Sequence, residues 1–323
     1  METTGGETTL SMTNLLDGIE LGTGTWQWGD NIWWNYGGDH GENDVREAFR
    51  ASLNAGINLF DTAEIYGQGK SERLIGANWA LERERDPDAA ARVMIATKFA
   101  PLPFRLFKSQ FRAALAASLD RLRVKSVDLY QIHWTYPITP EERWADALAD
   151  ALDAGQIRAA GVSNYNREQT IRAHHTLTLR GHGLTSNQLE YHLLNRKIET
   201  DGTFEACRER GIRVIAYSPL AMGLLTGKYT VENPPPGLRG WRFRSLLKRV
   251  PPLIDLMRRI GEAHGGKSPS QVALNWVICK GALPIPGAKN ARHVQSNAGA
   301  AGWRLTDDEV AALDEMSARV MKG

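Results

Sequence analysis

Short apolar runs alternate with amphipathic segments eight times along this 323-residue chain, and that repetition leaves few folds open. Residues 57–61, for example, form an apolar run, and helical spacing of apolar residues follows from Ser71. Strict alternation predicts a parallel sheet, because each strand needs a crossover before the next can run in the same direction. Eight units at this length predict an α/β fold, a closed (β/α)8 TIM barrel, with long loops at its C-terminal face.

No linker-like composition divides the chain, so we expect one barrel domain at residues 16–323. Residues 1–15 carry two Glu and no hydrophobic region, which predicts a disordered N-terminal tail and no secretion signal. Residues 227–252 are rich in Pro, Gly and Arg and are expected to form a long insertion. Residues 306–317 are expected to form an added C-terminal helix.

The formal net charge of +2 gives no electrostatic reason to expect nucleic acid or a membrane surface as a partner. No apolar run approaches the roughly 20 residues that span a bilayer. Cys207 and Cys279 are the only cysteines, which predicts a reducing, cytoplasmic setting and offers no metal-ligand spacing. We therefore expect an enzyme that acts on a small molecule, as a monomer or a loose homo-oligomer.

Polar side chains recur where the predicted strands end, and in a barrel those ends share the face on which active sites are built. These positions are Asp61, Lys98, His133, Ser163, Asn164, Gln188, Tyr217, Ser218 and residues 287–289. Each has an ordinary structural explanation by itself, such as a helix cap for Asp61 or a solvated charge for Lys98. Their conjunction at seven strand ends predicts a functional site.

Asp61, Tyr66, Lys98 and His133 together suit the transfer of a proton to or from a reacting oxygen. An ammonium close to a phenol is expected to lower the pKa of the phenol, which ordinarily lies near 10. A carboxylate keeps the ammonium paired in a dry site, and a neutral His can orient a substrate oxygen. This combination predicts reduction of a carbonyl or oxidation of an alcohol without a metal.

A hydride must then come from a cofactor, because side chains cannot supply one. Residues 22–27 have the pattern Gly-x-Gly without a third Gly, so a Rossmann dinucleotide site is not expected. Residues 285–292 form a predicted strand-to-helix turn with two cations, which suits an anionic group at a helix N-terminus. Tyr217 at a strand end is placed to stack on a flat ring.

Several motifs, in order and spacing, resemble those of the aldo-keto reductases over about residues 16–317. They are Asp-Thr-Ala-x-x-Tyr-Gly at 61–67, Lys98, Gln-Ile-His at 131–133, Gly-Val-Ser-Asn at 161–164, Ala-Tyr-Ser-Pro-Leu at 216–220 and Ile-Pro-Gly-Ala-Lys at 285–289. The long 227–252 segment and the Gly-Ala-Lys-Asn loop resemble the bacterial and plant-plastid branches and, to a lesser degree, the β-subunits of potassium channels. The resemblance implies the barrel already predicted.

The resemblance also implies roles for single residues in the reversible reduction of an aldehyde or ketone. Tyr66 is the general acid, Lys98 and Asp61 tune it, and His133 orients the carbonyl. The residues implied at a nicotinamide cofactor are Thr25, Trp26, Ser163, Asn164, Gln188, Tyr217, Ser218, Leu220, Gly223, Lys228, Gly287, Lys289, Arg292 and Asn297.

The resemblance favours NADP(H) over NAD(H), because Lys289 and Arg292 would face the 2′-phosphate of the adenosine. Many relatives carry Lys where this chain has Gly287, so NAD(H) stays open as an alternative. Many also carry Glu where this chain has Ser296, a departure from the family pattern that bears on the adenine contacts. Separately, aromatic residues around the expected mouth predict a mostly apolar substrate pocket. These are Trp28, Trp33, Trp34, Phe99, Trp134 and Tyr136.

Two other functions fit parts of the same pattern. A regulatory or redox-sensing protein on this scaffold would bind the cofactor and turn over slowly, as channel β-subunits do. A cofactor-free Schiff-base barrel would instead use Lys98 as its nucleophile.

Overall fold

The computed structural model of the protein describes residues 14–236 and 238–322, and of Leu238, Arg239 and Arg242 only the backbone. Eight parallel strands pair in chain order. They are β1 (Thr23–Gly24), β2 (Leu59–Asp61), β3 (Met94–Phe99), β4 (Val127–Ile132), β5 (Ile157–Ser163), β6 (Leu184–Glu190), β7 (Arg213–Tyr217) and β8 (Leu283–Pro284). The amides of Gly22 and Gly24 donate to the carbonyls of Pro284 and Pro286, at 3.0 and 3.1 Å. These bonds join β1 to the β8 end of the sheet and confirm the predicted closed barrel.

Helices follow the strands and form the outer layer. In the described residues they are α1 (Glu42–Asn54), α2 (Lys70–Arg85), α3 (Pro87–Ala91), α4 (Lys108–Leu122), α5 (Glu141–Asp153), α6 (Arg167–Leu179), α7 (Lys197–Thr200), α8 (Thr203–Glu209), α9 (Leu238–Arg249), α10 (Pro251–Ala263), α11 (Pro269–Cys279), α12 (Ala291–Ala298) and α13 (Asp307–Lys322). The last of these is the predicted C-terminal helix.

The sequence shows why helices form where they do. In α1 the buried residues Val45, Ala48, Phe49 and Leu53 recur every three or four positions, so one stripe of the helix faces the barrel. In α6 the Asn166 side chain accepts from the amide of Gln169, whose side chain in turn accepts from the Asn166 amide.

An apolar layer lies inside the barrel, and most strands contribute to it. The buried residues of this layer are Leu16, Leu59, Ala96, Leu129, Ala159, Ile215, Leu283 and Ile285. Leu16 precedes the first strand and is completely buried. The adjoining Asn14 donates to the carbonyls of Thr185 and Gly211, at 2.9 and 3.0 Å.

Two expectations need correction here. Of the predicted tail at residues 1–15, residues 1–13 lie outside the described residues. Asn14 and Leu15 pack against the barrel and are part of it. The predicted insertion at 227–252 contains α9 and the start of α10, which the sequence pattern did not indicate. Neither α10 nor α11 was predicted, although Pro251 and Pro269 stand at their first positions, where Pro is favoured. Within the part of the chain described, no helix is long and apolar enough to cross a bilayer.

Candidate active site

A cavity of about 1230 Å³ opens at the carboxyl ends of the strands. Many of the predicted site residues line it. They are Thr25, Trp26, Trp33, Trp34, Asp61, Tyr66, His133, Trp134, Ser163, Asn164, Gln188, Tyr217, Ser218, Leu220, Gly223, Lys228, Gly287, Lys289 and Asn297. The loops after β1, β2, β4, β5, β7 and β8 therefore meet around one space, as the strand-end pattern predicted.

Five predicted site residues do not line this cavity. Trp28 is buried in the core, where its indole donates to the Ala288 carbonyl at 2.8 Å. Phe99 is also in the core, with its ring 4.9 Å from that of Trp144. Tyr136 and Arg292 lie outside the lining, and Arg292 is exposed. Trp28 and Phe99 are core residues, which contradicts their predicted place on the substrate wall, whereas the assignment of Tyr136 stays a prediction.

Lys98, the fifth, is completely buried behind the cavity wall. Its ammonium donates to Asp61 Oδ1 at 2.5 Å and to the Thr62 carbonyl at 2.7 Å. Burial lowers the pKa of Lys98, and the charge of Asp61 opposes that shift. A Schiff-base nucleophile must reach its substrate, so this buried and paired position argues against that alternative.

Asp61 accepts hydrogen bonds from two amide side chains besides the ammonium. Gln188 and Gln131 donate to its Oδ2, at 2.7 and 3.2 Å. Gln131 had no role in the sequence-based prediction, which singled out only His133 of its motif. Its signal was the alternation on β4: Leu129 faces the barrel interior, so Gln131, two residues later, faces it too.

Tyr66 begins a short 3₁₀ turn, Tyr66–Gly69, directly after the β2 loop. Its ring stacks on Trp26 at a centroid distance of 6.1 Å and meets His133 edge-on at 5.7 Å. The Lys98 ammonium lies 5.1 Å from the same ring centroid. The four residues predicted for proton transfer are thus brought together.

The pKa of Tyr66 is raised above its ordinary value, first by burial and then by the charge of Asp61. The sequence-based expectation was the opposite, namely that Lys98 would lower this pKa. The difference arises because Asp61 pairs with Lys98 and offsets its charge, while desolvation disfavours the phenolate. The phenol therefore keeps its proton at neutral pH.

His133 is held neutral beside this phenol. Burial, and then the charge of Lys98, lower the pKa of His133 well below its ordinary value of about 6.5. Its Nδ1 atom is buried and has no hydrogen-bond partner among the described residues. A neutral imidazole carries one N–H and can donate it to a carbonyl oxygen.

The polar residues after β5 form a small network beside His133. Asn164, in a left-handed conformation with φ of 60°, donates to the His133 carbonyl at 3.0 Å and accepts from the Tyr217 hydroxyl at 3.0 Å. The Ser163 hydroxyl donates to the Gln188 carbonyl at 2.9 Å. The ring of Tyr217 is thereby fixed in position at the cavity wall.

The loop after β7 has an unusual backbone. Ala221, Met222 and Gly223 follow one another with positive φ, and Ser218 also has a φ of 50°. Such conformations cost energy in residues other than Gly and cluster at ligand sites. Runs of left-handed residues can direct successive N–H groups toward an anion. Lys228 follows on the same loop and also lines the cavity.

Lys289 lines the cavity from the loop after β8. Its ammonium donates to the Trp34 carbonyl at 3.0 Å and lies 3.3 Å from Asp39 Oδ2. The loop after β8 is thereby joined to the aromatic loop after β1.

The site suits a nicotinamide dinucleotide in shape and in chemistry. The volume exceeds that of ordinary small-ligand pockets, about 300–1000 Å³, which leaves room for a long cofactor and a substrate. The lining offers a protonated phenol and a neutral imidazole for proton transfer, and cations and a strained loop for phosphates.

Comparison with known proteins agrees with this geometry. Residues 20–318 match the model of the aldo/keto reductase family. A chloroplastic pyridoxal reductase of Arabidopsis thaliana is 42% identical over 302 residues, covering 91% of this chain and 82% of that protein. The glycerol dehydrogenase AKR11B4 of Gluconobacter oxydans superposes with a TM-score of 0.81 at 32% identity, covering 94% of this chain and 93% of that one. An aldo/keto reductase of Klebsiella pneumoniae, solved with NADP and acetate, gives 0.72 at 29% identity, with 92% and 91% covered.

Proposed function

The chain belongs to the aldo/keto reductase family of oxidoreductases, and we propose that it reduces aldehyde or ketone carbonyls to alcohols with NADPH. One observation carries the proposal. A single cavity is lined both by the proton-handling residues Tyr66 and His133 and by the strained loop, Lys228 and Lys289. The substrate carbonyl and the cofactor can therefore meet within one cavity.

When bound, the reduced nicotinamide supplies a hydride to the carbonyl carbon. Tyr66 gives its hydroxyl proton to the carbonyl oxygen, so that one C–H and one O–H bond form and the C–O π bond breaks. The raised pKa of Tyr66 keeps this proton in place until a substrate needs it. The site therefore holds the proton that reduction requires.

His133 and Lys98 act on the two sides of this transfer. The neutral His133 ring lies against Tyr66 and donates a hydrogen bond that orients the carbonyl oxygen. The Lys98 ammonium, 5.1 Å from the Tyr66 ring centroid, stabilises the phenolate that remains. Asp61 holds Lys98 in place, and Gln131 and Gln188 hold Asp61.

Tyr217, Ser163, Asn164 and Gln188 are our candidates for holding the nicotinamide. Gln188 and Ser163 also serve the site's internal network, so their contact with a ligand would have to use their remaining lone pairs or donors. Thr25 and Trp26 would contribute mainly backbone and ring surface. The Thr25 hydroxyl donates to the Asp61 carbonyl, and the Trp26 indole donates to Asp30.

We assign the phosphates to the loop after β7, from Ser218 through Leu220 and Gly223 to Lys228. Gly287 and Lys289 would face the adenosine 2′-phosphate, with Asn297 at the adenine. The Klebsiella relative was solved with NADP, which supports NADPH as the preferred cofactor here. Arg292 is exposed and outside the lining, so we give Lys289 the larger share of 2′-phosphate binding.

The substrate end is walled by aromatic rings, which favours flat, mostly apolar aldehydes. Trp26 stacks on Tyr66 and meets Trp34 edge-on at 5.5 Å, and Trp134 packs against His133 at 4.6 Å. Because a relative is named a pyridoxal reductase, pyridoxal is the first aldehyde to test.

The proposal is tested by following NADPH consumption with a panel of aldehydes that includes pyridoxal, for the wild-type protein and for Tyr66→Phe. General-acid catalysis contributes about 10²–10⁴-fold, so we expect a loss of that size in kcat for the variant. NADPH affinity, measured by quenching of tryptophan fluorescence, should change little because only a hydroxyl is removed.

Tyr165→Phe is a matched control. The Tyr165 hydroxyl is buried away from the cavity and has no hydrogen-bond partner among the described residues, so its removal should leave turnover unchanged. Equal activity of wild type and Tyr66→Phe would refute the mechanism. Tight NADPH binding with no turnover of any aldehyde would favour the regulatory alternative.

A further inference from the structure

We propose that Asp39 is a determinant of cofactor choice: its carboxylate competes with the adenosine 2′-phosphate for Lys289 and so weakens the preference for NADPH over NADH. The proposal rests on the function proposed above, in which Lys289 receives that phosphate. It concerns a residue of the aromatic loop after β1, which the sequence pattern did not connect with the cofactor.

The geometry places two partners on the Lys289 ammonium. The Trp34 carbonyl accepts at 3.0 Å, and Asp39 Oδ2 lies at 3.3 Å. Among the residues that the structure describes, Asp39 is the only carboxylate within 4.0 Å of this ammonium. The ammonium also lies 5.7 Å from the ring centroid of Trp34. The cation expected to bind phosphate is thus held by the aromatic loop after β1.

Asp39 is fixed in this position by its own loop. Asn35 adopts a left-handed conformation, with φ of 51°, and its side-chain amide donates to Asp39 Oδ1 at 2.8 Å. The Asp39 amide donates back to the Asn35 carbonyl at 3.0 Å. The bond from Asn35, and then that from Lys289, lower the pKa of Asp39 below its ordinary value. The carboxylate is therefore ionised throughout the neutral range.

The two cofactors meet this carboxylate differently. NADPH brings a phosphate with about two negative charges, which must displace the Asp39 carboxylate from the Lys289 ammonium. NADH brings a 2′-hydroxyl at the same place, and a hydroxyl can donate a hydrogen bond to a carboxylate. Asp39 therefore acts against NADPH and not against NADH. Because its side chain is 58% exposed, solvent screening keeps the effect small.

The test is a double-mutant cycle on binding, with dissociation constants of NADPH and NADH measured by fluorescence quenching. Asp39→Asn keeps the shape of the side chain and removes its charge. We expect this change to tighten NADPH binding about three- to fivefold, the scale of a partly exposed charge pair, and to leave NADH binding the same or weaker. In a Lys289→Met background the same substitution should lose most of its effect on NADPH.

Asp153→Asn is the matched control. The Asp153 side chain is 51% exposed, pairs with Arg180 at 2.7 Å and does not line the cavity. Its substitution by Asn changes the net charge by the same amount as Asp39→Asn. Unchanged or weaker NADPH binding by Asp39→Asn would overturn the proposal, as would an equal gain from Asp153→Asn. If Lys289→Met leaves the ratio of NADPH to NADH affinity unchanged, the 2′-phosphate role of Lys289 is itself wrong. If Lys289→Met lowers that ratio and Asp39→Asn does not raise it, only the role of Asp39 fails.

Discussion

The carboxylate of Asp61 accepts hydrogen bonds from three side chains at once. Burying this carboxylate with an ammonium costs free energy, so the arrangement calls for a functional explanation. Moving two charges out of water costs several kcal/mol per ion. The attraction between the two charges returns a free energy of about the same size. Apolar residues of similar volume would stabilise a barrel at least as well. The completely buried Lys98 and its pairing with Asp61 are therefore better explained by chemistry on the neighbouring Tyr66 than by stability.

The opposite pKa shifts of Tyr66 and His133 predict the pH dependence of reduction. The pKa of Tyr66 is raised, so the phenol keeps its proton to above about pH 10. Loss of this proton should therefore not lower kcat/KM below that pH. The pKa of His133 is lowered, so the ring gains a proton only well below about pH 6.5. Protonation of His133 should therefore lower kcat/KM only on the acid side of the pH profile, as an acid limb. We expect kcat/KM for reduction to be flat between about pH 6.5 and 9.

The measurement is an initial-rate pH profile with NADPH and one uncharged aldehyde, repeated with His133→Asn. The variant should be slower at every pH and lack the acid limb. A limb centred near pH 7 in the wild type that disappears in the variant would show that His133 is not held neutral.

At the scale of elements, strands such as β2 and β5 were predictable because a mostly apolar run stops at a polar residue. The side of the sheet that each strand residue faces was predictable too, because successive residues alternate between the two sides. The sequence-based interpretation applied this alternation only in part. Lys98 faces the interior of the barrel, so Phe99 beside it on β3 must face the helices, where it packs on Trp144. Trp28 lies in a loop without regular alternation, so its place in the core could not be inferred in this way.

The helices between β7 and β8 were missed for a different reason. Residues 227–252 are rich in Pro and Gly, and such composition usually marks irregular backbone. Pro251 and Pro269 instead begin α10 and α11, where a missing N–H costs nothing.

The proposed role of Asp39 could not be predicted from the sequence either, because its contact with Lys289 joins residues 250 positions apart.

The turn that carries Tyr66 gives a prediction at this scale. Gly67 has φ of +54°, and a Cβ added there would lie 2.5 Å from the Gly29 carbonyl oxygen. Gly67→Ala must therefore move the backbone of one of the two loops. Since small displacements of a catalytic group are costly, we expect kcat/KM to fall by about tenfold to a hundredfold. Activity assays and urea unfolding of the same samples measure both effects.

Gly155→Ala is the control for backbone strain alone. Gly155 has φ of +66°, and no atom lies within 4 Å of an added Cβ. Both substitutions should cost about 1–2 kcal/mol of stability from the left-handed conformation. Only Gly67→Ala should lose activity, and equal activity of the two variants would show that the Gly29–Gly67 contact does not position Tyr66.

At the scale of the whole molecule, the cavity joins parts of the chain that are far apart in sequence. Its lining includes the loops after β1 and β2 and those after β7 and β8. These loops meet where hydrogen bonds from Gly22 and Gly24 close the barrel. A ligand in this cavity thus contacts both ends of the sheet and should stabilise the folded barrel as a unit.

This coupling predicts that NADPH raises the thermal midpoint of unfolding and does so more than NADH at equal concentration. A ligand at 100 times its dissociation constant adds about 2.7 kcal/mol, which for a chain of this length corresponds to roughly 4 °C. Differential scanning fluorimetry at one fixed scan rate measures the shift. Tyr66→Phe should show the wild-type shift, because we assign the Tyr66 hydroxyl to proton transfer and not to cofactor binding. Lys289→Met should bring the NADPH shift down to that of NADH, since it removes the ammonium assigned to the 2′-phosphate. The absence of any shift with either nucleotide at millimolar concentration would refute the nicotinamide site itself, independently of which aldehyde is the substrate.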